Sequence, residues 1–422
     1  MPRARPFGRD FRLYFTSQVV SQIGTSFTQF ALPLLVYKLT GSPTNLAITT
    51  AATFVPYLLF GLVLGAVVDR VDRRRMMAGV DLARAAVIAV LPILELAGQL
   101  EVEHIYAVAF VQSTLGILFE CGEFAAVPSL VPADDLVTAN GWIMATNSAG
   151  AVLGPVLAGL LLAAVPVVGL LFVDGATFLV SALALLSIRG SFNRGDAEQP
   201  KAASTGSRVR GVFRDVAEGL RYVLGHPVLR TISVMMALIN FISVSQATQL
   251  VVFAKVELSA TDTEVGILYA AGSAGVVVIG LVAGAIRRRL SFAVTALGAL
   301  VVSGLALAAM GVVVWYPATL VLWAAASGFG LLLNINTGSL RQAIVPPHLF
   351  GRVISIAGVL AWSAIPLGAL AGAWAIEATD DVALVYVGMG LLTAAIAAAF
   401  ALSPIREGDR YLDEAKAAEA IA

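Results

Sequence analysis

The sequence predicts an all-α integral membrane protein, with twelve transmembrane helices in two pseudo-symmetric six-helix halves. Three observations carry this. Of 422 residues, 59% are hydrophobic and only 13% charged. A soluble domain carries about 25% charged residues, so the polar surface needed to face water is missing. The apolar residues fall in runs of about twenty, the length one helix needs to cross a hydrocarbon core. One long polar stretch, "RGSFNRGDAEQPKAASTGSRVRG" at 189–211, divides these runs six from six and reads as a linker.

The first half (1–188) opens on "MPRARPFGRDF", a basic segment that runs into a long span with no small-residue cleavage site, and so reads as a cytoplasmic tail. Its six spans are expected at 12–36, 45–68, 76–97, 105–126, 141–164 and 168–188. Between the second and third lies a charge knot, "DRVDRRR" at 69–75. The linker segment (189–225) ends in "VFRDVAEGLRYVL" at 212–224, which has apolar residues at helical spacing with charges opposite, and is expected to lie along the membrane surface. The second half (226–404) has spans expected at 229–253, 265–286, 291–313, 317–340, 351–376 and 382–403, and a cytoplasmic tail follows at 405–422.

Charge orients these spans. With the N-terminus inside, only Lys38 and Lys255 of the 27 lysines and arginines fall on the outer side. The outer loops carry Glu101, Glu103, Glu257, Asp262, Glu264, Asp380 and Asp381 instead. Basic residues accumulate on cytoplasmic loops, so both termini are expected in the cytoplasm.

The formal net charge is zero, which gives no basis for steering nucleic acid. The single Cys121 excludes an intrachain disulfide and a cysteine-based zinc site, and His104, His226 and His348 are isolated. There is no G-x-x-x-x-G-K-[ST] phosphate loop. No cofactor is expected beyond a proton gradient.

The second half echoes the first. "GLVLGAVVDRVDRRR" from 61 matches "GLVAGAIRRRL" from 280, "SLVPADDLVTAN" from 129 matches "AIVPPHLFGRV" from 343, and "GPVLAG" from 154 matches "IPLGALAG" from 365. All three matches fall at equivalent spans, the signature of a duplicated secondary transporter.

Three local patterns carry a family resemblance. One is Gly65-x3-Asp69-Arg70-x2-Arg73-Arg74. The second is Gly141-x8-Gly150-x3-Gly154-Pro155-x2-Ala158-Gly159, with alanine at 158 where a glycine is usual. The third is "LVP…L…AN" at 130–140, with "YKLTGSP" (37–43) and "DLARA" (81–85) in the same vein. On these the chain resembles the major facilitator superfamily over nearly its whole length, and within it the twelve-span drug-antiporter branch that includes macrolide-efflux proteins and the enterobactin exporter. The resemblance implies the major facilitator fold and a latch made by the loop between spans 2 and 3. Asp69 would sit at the N-terminal end of span 11, where free N–H groups favour an anion, beside Arg352. Gly65 would permit close approach of the two helices. The arginines, Arg70 and Arg73 among them, would also hold the loop in the cytoplasm. Many relatives carry an arginine within span 4; this span 4 has none, so a coupling scheme needing it does not transfer.

Ionisable residues inside spans are costly and mark ion paths. Asp81 and Arg84 in span 3 share a face, as do Glu120 and Glu123 in span 4. Three acids against one arginine leave carboxylates unpaired, groups able to trade protons. Glu120 and Glu123 are the leading candidates, Asp81 and Arg84 are expected to pair, and Asp174 in span 6 is a further candidate. In span 5, Gly150, Gly154 and Ala158 form a small-residue face beside Pro155 and Gly159, expected to pack against span 8 through Gly272, Gly275 and Gly280. Substrate-cavity candidates are Gln18, Gln22, Gln29, Asn147, Asn240, Gln246, Asn334 and Asn336. Phe27, Phe30, Phe241 and Trp362 would give that cavity an amphipathic character. Apart from Asn147, these amides lie on spans 1, 7 and 10, which line the central cavity in that superfamily.

These observations describe a proton-coupled exporter of amphipathic small molecules, working by alternating access as a monomer in a bacterial cytoplasmic membrane. A dedicated exporter of one endogenous metabolite or siderophore stays open beside it. A non-transporting membrane sensor is the remoter alternative, since it would have no need of the loop signature or the buried acids.

Overall fold

A computed structural model describes residues 7–68, 71–132, 135–162, 164–193, 220–345 and 347–411, with side chains except at 61–63, 65–67, 137, 347–352, 354–362 and 407. Asp69 and Arg70 of the loop signature, linker residues 194–219 and the tail from 412 lie outside the described residues. So do the side chains of Arg352 and Trp362.

The described residues form helices and no strand. In order they are α1 (Arg9–Thr40), α2 (Pro43–Val68), α3 (Arg73–Leu96), α4 (Val102–Leu130), α5 (Leu136–Leu161), α6 (Val167–Ser187), α7 (Pro227–Thr248), α8 (Leu250–Val256), α9 (Asp262–Arg289), α10 (Phe292–Val312), α11 (Tyr316–Ile344), α12 (Pro347–Thr379) and α13 (Val382–Phe400). Among the described residues, 10 helices are long and apolar enough to cross a membrane. They are all of these except α2, α8 and α12. Large apolar side chains such as Phe124, Leu281 and Trp374 are exposed on the surface, as suits helices packed in lipid rather than in water.

The helix ends follow from local chemistry. Gly41, in the left-handed region at φ 61°, ends α1 and donates to the Tyr37 carbonyl. Asp72 opens α3 by accepting from Arg75 N at 2.9 Å, and Asp381 opens α13 by accepting from Leu384 N at 2.7 Å. The ring Nδ1 of His226 does the same for α7, accepting from Leu229 N at 3.4 Å. Burial holds this imidazole below its ordinary range, against a smaller opposing effect of its own backbone. Above about pH 6.5 the ring is neutral whether folded or not, and the cap is complete. As the pH falls through that value the unfolded ring takes up a proton first, and the cap's stabilisation is lost. Replacing His226 with alanine should cost about 1 kcal/mol in this turn. Protection of the Leu229 amide against hydrogen exchange, corrected for intrinsic rate, should fall on acidification in the parent and not in His226→Ala. Equal pH dependence in both would dismiss the cap.

Two compact units emerge, Met1–Lys201 with Asp262–Gly266, and Ala202–Thr261 with Ile267–Ala422. In the first, α1 packs on α5 and α6, α3 on α4 and α6, and α2 on α4. Its core joins Phe11, Tyr14, Met77, Val80, Phe119 and Phe192. In the second, α10 packs on α11 and α13, and α7 on α12.

Three details depart from the sequence expectation. The seventh span, expected at 229–253, is two helices, α7 and α8, with the fully buried Gln249 between them. The Tyr386 hydroxyl donates to the Gln246 carbonyl at 2.6 Å, so the break is stabilised from α13 and not by a local proline or glycine. Second, Arg73 and Arg74 do more than hold a loop on one side. Arg73 is buried and donates to the Phe192 carbonyl at 3.2 Å. Arg74 donates to the carbonyl of Ile188, the residue that ends α6, where the helix dipole favours a cation. Third, Gly150 and Gly154 face Gln22 and Ser26 of α1, while Gly272 and Gly275 face Trp323 and Ala324 of α11. Gly159 meets Gly266 near the start of α9, a residue that groups with the first unit.

Candidate functional site

Helical spacing builds the site. On α1, Gln18, Gln22, Thr25 and Gln29 follow one another at intervals of four, three and four, and so share one face. Gly116, Phe119, Glu120 and Glu123, at intervals of three, one and three, likewise share one face of α4. These two faces, with Thr146 and Asn147 of α5 and Arg84 of α3, line an open cavity of about 310 Å³ within the first unit. That volume lies at the lower end of small-molecule sites, about 300–1,000 Å³. The structure therefore gathers Gln18, Gln22, Gln29, Asn147, Arg84, Glu120 and Glu123 around one space. Thr25 was missed although it completes the α1 stripe. The aromatic residues there are Phe15 and Phe119; Phe27 and Phe30 are instead buried in the packing.

The two glutamates are each held by a tyrosine. The Tyr14 hydroxyl donates to Glu123 Oε1 at 2.6 Å, and the Tyr57 hydroxyl donates to Glu120 Oε1 at 3.2 Å. Tyr14 is fully buried, whereas Glu120 is exposed to the cavity. Neither tyrosine has a sequence signal, because each partner comes from a distant helix.

The expected pairing of Asp81 with Arg84 is not formed. The guanidinium lies 4.0 Å above the Phe178 ring, a cation–π contact. Its Nε donates to Gln112 Oε1 at 3.3 Å, and Gln112 Nε2 donates back to the Arg84 carbonyl at 2.8 Å. Asp81, Asp174 and Glu120 all lie within electrostatic range of this guanidinium. Asp174 is buried and accepts from the Thr28 hydroxyl. Asp81 is 0% exposed, and neither of its oxygens makes a hydrogen bond of ordinary geometry, although the Ser181 hydroxyl faces it. Ser181 itself accepts from Gln18 Nε2 at 3.0 Å, which connects the buried acid to the cavity wall.

The candidates of the second unit lie on α7 and α11. Asn336 is buried and donates to the Leu332 carbonyl of its own helix at 2.8 Å. Asn334 donates to Gly330 at 3.2 Å in the same manner. Gln246 accepts from Tyr386 through its backbone, and Asn240 is half-buried on α7. Within the first unit, the cavity supplies amide and hydroxyl groups for a polar ligand, two aromatic faces for an apolar one, and two carboxyl groups able to carry a proton or meet a cation.

Comparison with known proteins gives a consistent picture. Residues 14–369 match the family model described as Major Facilitator Superfamily. The chain is 28% identical to the multidrug efflux pump Tap of Mycolicibacterium fortuitum over 92% of this chain and 94% of that protein. It is 24% identical to macrolide efflux protein A of Streptococcus pyogenes over 86% and 88%. Among solved structures, a bacterial homologue of the iron transporter ferroportin in the inward-facing state superposes with a TM-score of 0.69 at 18% identity, covering 93% of this chain and 99% of that one. A bacterial homologue of the human lysosomal transporter Spinster gives 0.70 at 13% identity, covering 96% and 97%. At these identities the structural likeness concerns the fold alone.

Proposed function

Because the chain belongs to the major facilitator superfamily, we propose that it is a secondary active exporter of amphipathic small molecules, driven by proton antiport. The efflux assignment is supported by the relatives named for multidrug and macrolide efflux, which align over most of both chains. One observation carries the mechanism: amides, aromatic rings and two tyrosine-bonded glutamates face a single cavity. Amides and rings suit a ligand that is part polar and part apolar, and the glutamates offer a proton that such a ligand can displace. The charge distribution supports cytoplasmic termini, and the protein is taken to work as a monomer in a bacterial cytoplasmic membrane without a further cofactor.

The test uses purified protein in liposomes holding a pH gradient. A panel of lipophilic dyes, macrolides and siderophores is added and substrate-triggered proton movement recorded. Proton flux with many compounds is the expected result. Flux with a single compound would instead identify a dedicated exporter. Substrate accumulation that ignores the pH gradient would remove protons from the mechanism.

A further inference from the structure

Arg84 stands at the wall of the first unit's cavity, and its position there is fixed from two sides. The guanidinium rests on the Phe178 ring, 4.0 Å from the centroid. Its Nε donates to Gln112 Oε1 at 3.3 Å, while Gln112 Nε2 donates to the Arg84 carbonyl at 2.8 Å. Ring and amide hold the fork still without neutralising it. The two Nη groups carry four of its five N–H donors. They make no hydrogen bond and no ion pair among the described residues, and they are not closed off from open space. Such a fork is the side chain best shaped to take a carboxylate through two parallel bonds. Glu120 offers the opposite charge on the same cavity wall. Gln112, Gly116 and Glu120 follow one another at intervals of four along α4, so Gln112 and Glu120 lie on one ridge, about 12 Å apart along the axis. Side chains lean towards a helix's N-terminus, which brings the Glu120 carboxyl back towards Gln112 and the guanidinium. Arg84 and Glu120 nonetheless form no ion pair, and Phe15 and Phe119 line the same space.

We propose that the cavity recognises amphipathic zwitterions, with a ligand carboxylate on Arg84, a ligand ammonium on Glu120 and the apolar body against Phe15 and Phe119. A ligand with only a positive charge meets Glu120 but also faces the fixed guanidinium. A ligand with only a negative charge meets Arg84 but also faces the glutamate. A zwitterion satisfies both and enters with no net charge, so neither wall group is left desolvated without a partner. One arginine matches one carboxylate. Gln112 is a positioning residue, since it aims the fork and leaves the Nη groups to the ligand. Glu123, held by the Tyr14 hydroxyl at 2.6 Å, takes no part in this recognition. As the class of a transported substrate, the proposal rests on the exporter reading above; as a binding site it does not.

The test measures binding of three matched fluorescent probes to the full-length protein in lipid nanodiscs at neutral pH, corrected for empty nanodiscs. Nα-dansyl-lysine carries an aromatic body, one ammonium and one carboxylate. Its methyl ester is a cation of nearly the same shape, and its Nε-acetyl form is an anion. The zwitterion should bind about tenfold tighter than either, or more, since each derivative gives up one charge-assisted contact. Arg84→Gln should bring the zwitterion down to the level of the ester and leave the ester's own affinity undiminished. Glu120→Gln should bring it down to the level of the acetylated form and leave that form undiminished. Each variant thus weakens only the probes that carry the charge opposite to the residue removed, a selectivity that a general disturbance of the fold does not produce. Arg84→Lys should recover part of the loss, because it keeps the charge without the fork. In the unmodified protein, an ester that binds as tightly as the zwitterion would overturn the proposal, as would failure of all three probes to bind, and neither result depends on a variant folding. A zwitterion affinity indifferent to Arg84→Gln would overturn it as well. Charge-selective binding without movement of the zwitterion across liposome membranes would overturn the exporter reading and leave the site standing.

Discussion

Replacing Glu123 with glutamine should abolish uphill efflux and leave exchange of substrate across the membrane intact. The reasoning is thermodynamic. A gradient of one pH unit stores about 1.4 kcal/mol per proton and sustains roughly tenfold accumulation of a neutral substrate exchanged for one proton. A carrier that cannot hold the proton still rocks and still binds, but its accumulation ratio falls to about one. Glutamine is the appropriate probe because its amide oxygen can still accept from the Tyr14 hydroxyl, now at 2.6 Å from Glu123, so shape and packing are kept while the titrating group is lost. Glu120→Gln should behave differently. Its carboxylate faces the cavity and its tyrosine bond is longer, 3.2 Å, as suits a group that meets the substrate. That variant should raise the half-saturating concentration of a cationic dye while retaining accumulation. Ratios measured in liposomes with an imposed pH gradient decide between the two roles. If Glu123→Gln accumulates substrate as the parent does, the proton resides elsewhere.

Much of the site was legible because helical periodicity is a property of the sequence itself. Gln22 and Gln29 were recognisable as two amides on one face of an apolar helix, and Glu120 and Glu123 as one acidic face. Periodicity tells which residues share a face. It does not tell what the face meets. Tyr14 lies 109 residues from Glu123 and Tyr57 lies 63 from Glu120, so neither bond has a local signature. Asp81 and Arg84 sit at the spacing of an ion pair, yet the guanidinium goes to the ring of Phe178 and the amide of Gln112, which only the packing of α3 on α6 and α4 supplies. The same limit explains Asn334 and Asn336. One amide nitrogen of each donates to the carbonyl four residues earlier on its own helix, a bond that polar residues in an apolar span do not announce. The break at Gln249 was invisible for a related reason: a side chain from another helix, Tyr386, holds the freed carbonyl.

Alanine at Gly154 should destabilise the first unit, and glycine at Ser26 should largely restore it. A Cβ on Gly154 would collide with the Ser26 Cβ, with Ser26 Oγ 2.8 Å and its backbone Cα 3.4 Å away. The Ser26 Cα and Cβ are fixed by the α1 backbone and cannot turn aside, so the helices must separate. Overpacking of this kind costs about 1–3 kcal/mol, against a gain of at most about 1 kcal/mol from replacing glycine within a helix. Association of helices in lipid depends on close packing and not on a hydrophobic drive, so the separation is not recovered elsewhere. A bulkier Gly154→Leu should prevent accumulation of folded protein. Ser26→Gly removes the obstructing atoms and gives up only a hydroxyl that donates to the Gln22 carbonyl of its own helix at 2.8 Å. The two substitutions should therefore be non-additive by about 1–2 kcal/mol in a double-mutant cycle. Thermal melting of the purified single and double variants measures this, and strict additivity would show that the two residues are not in contact. Gly150, one turn earlier, is a built-in contrast. Its Cβ would meet Gln22 Cγ at 2.7 Å, part of a flexible side chain that can move away. Gln22 also lines the cavity, so Gly150→Ala should displace a cavity amide and alter substrate affinity with little loss of stability. One small-residue face on α5 thus meets fixed backbone at one turn and a cavity-lining side chain at the next.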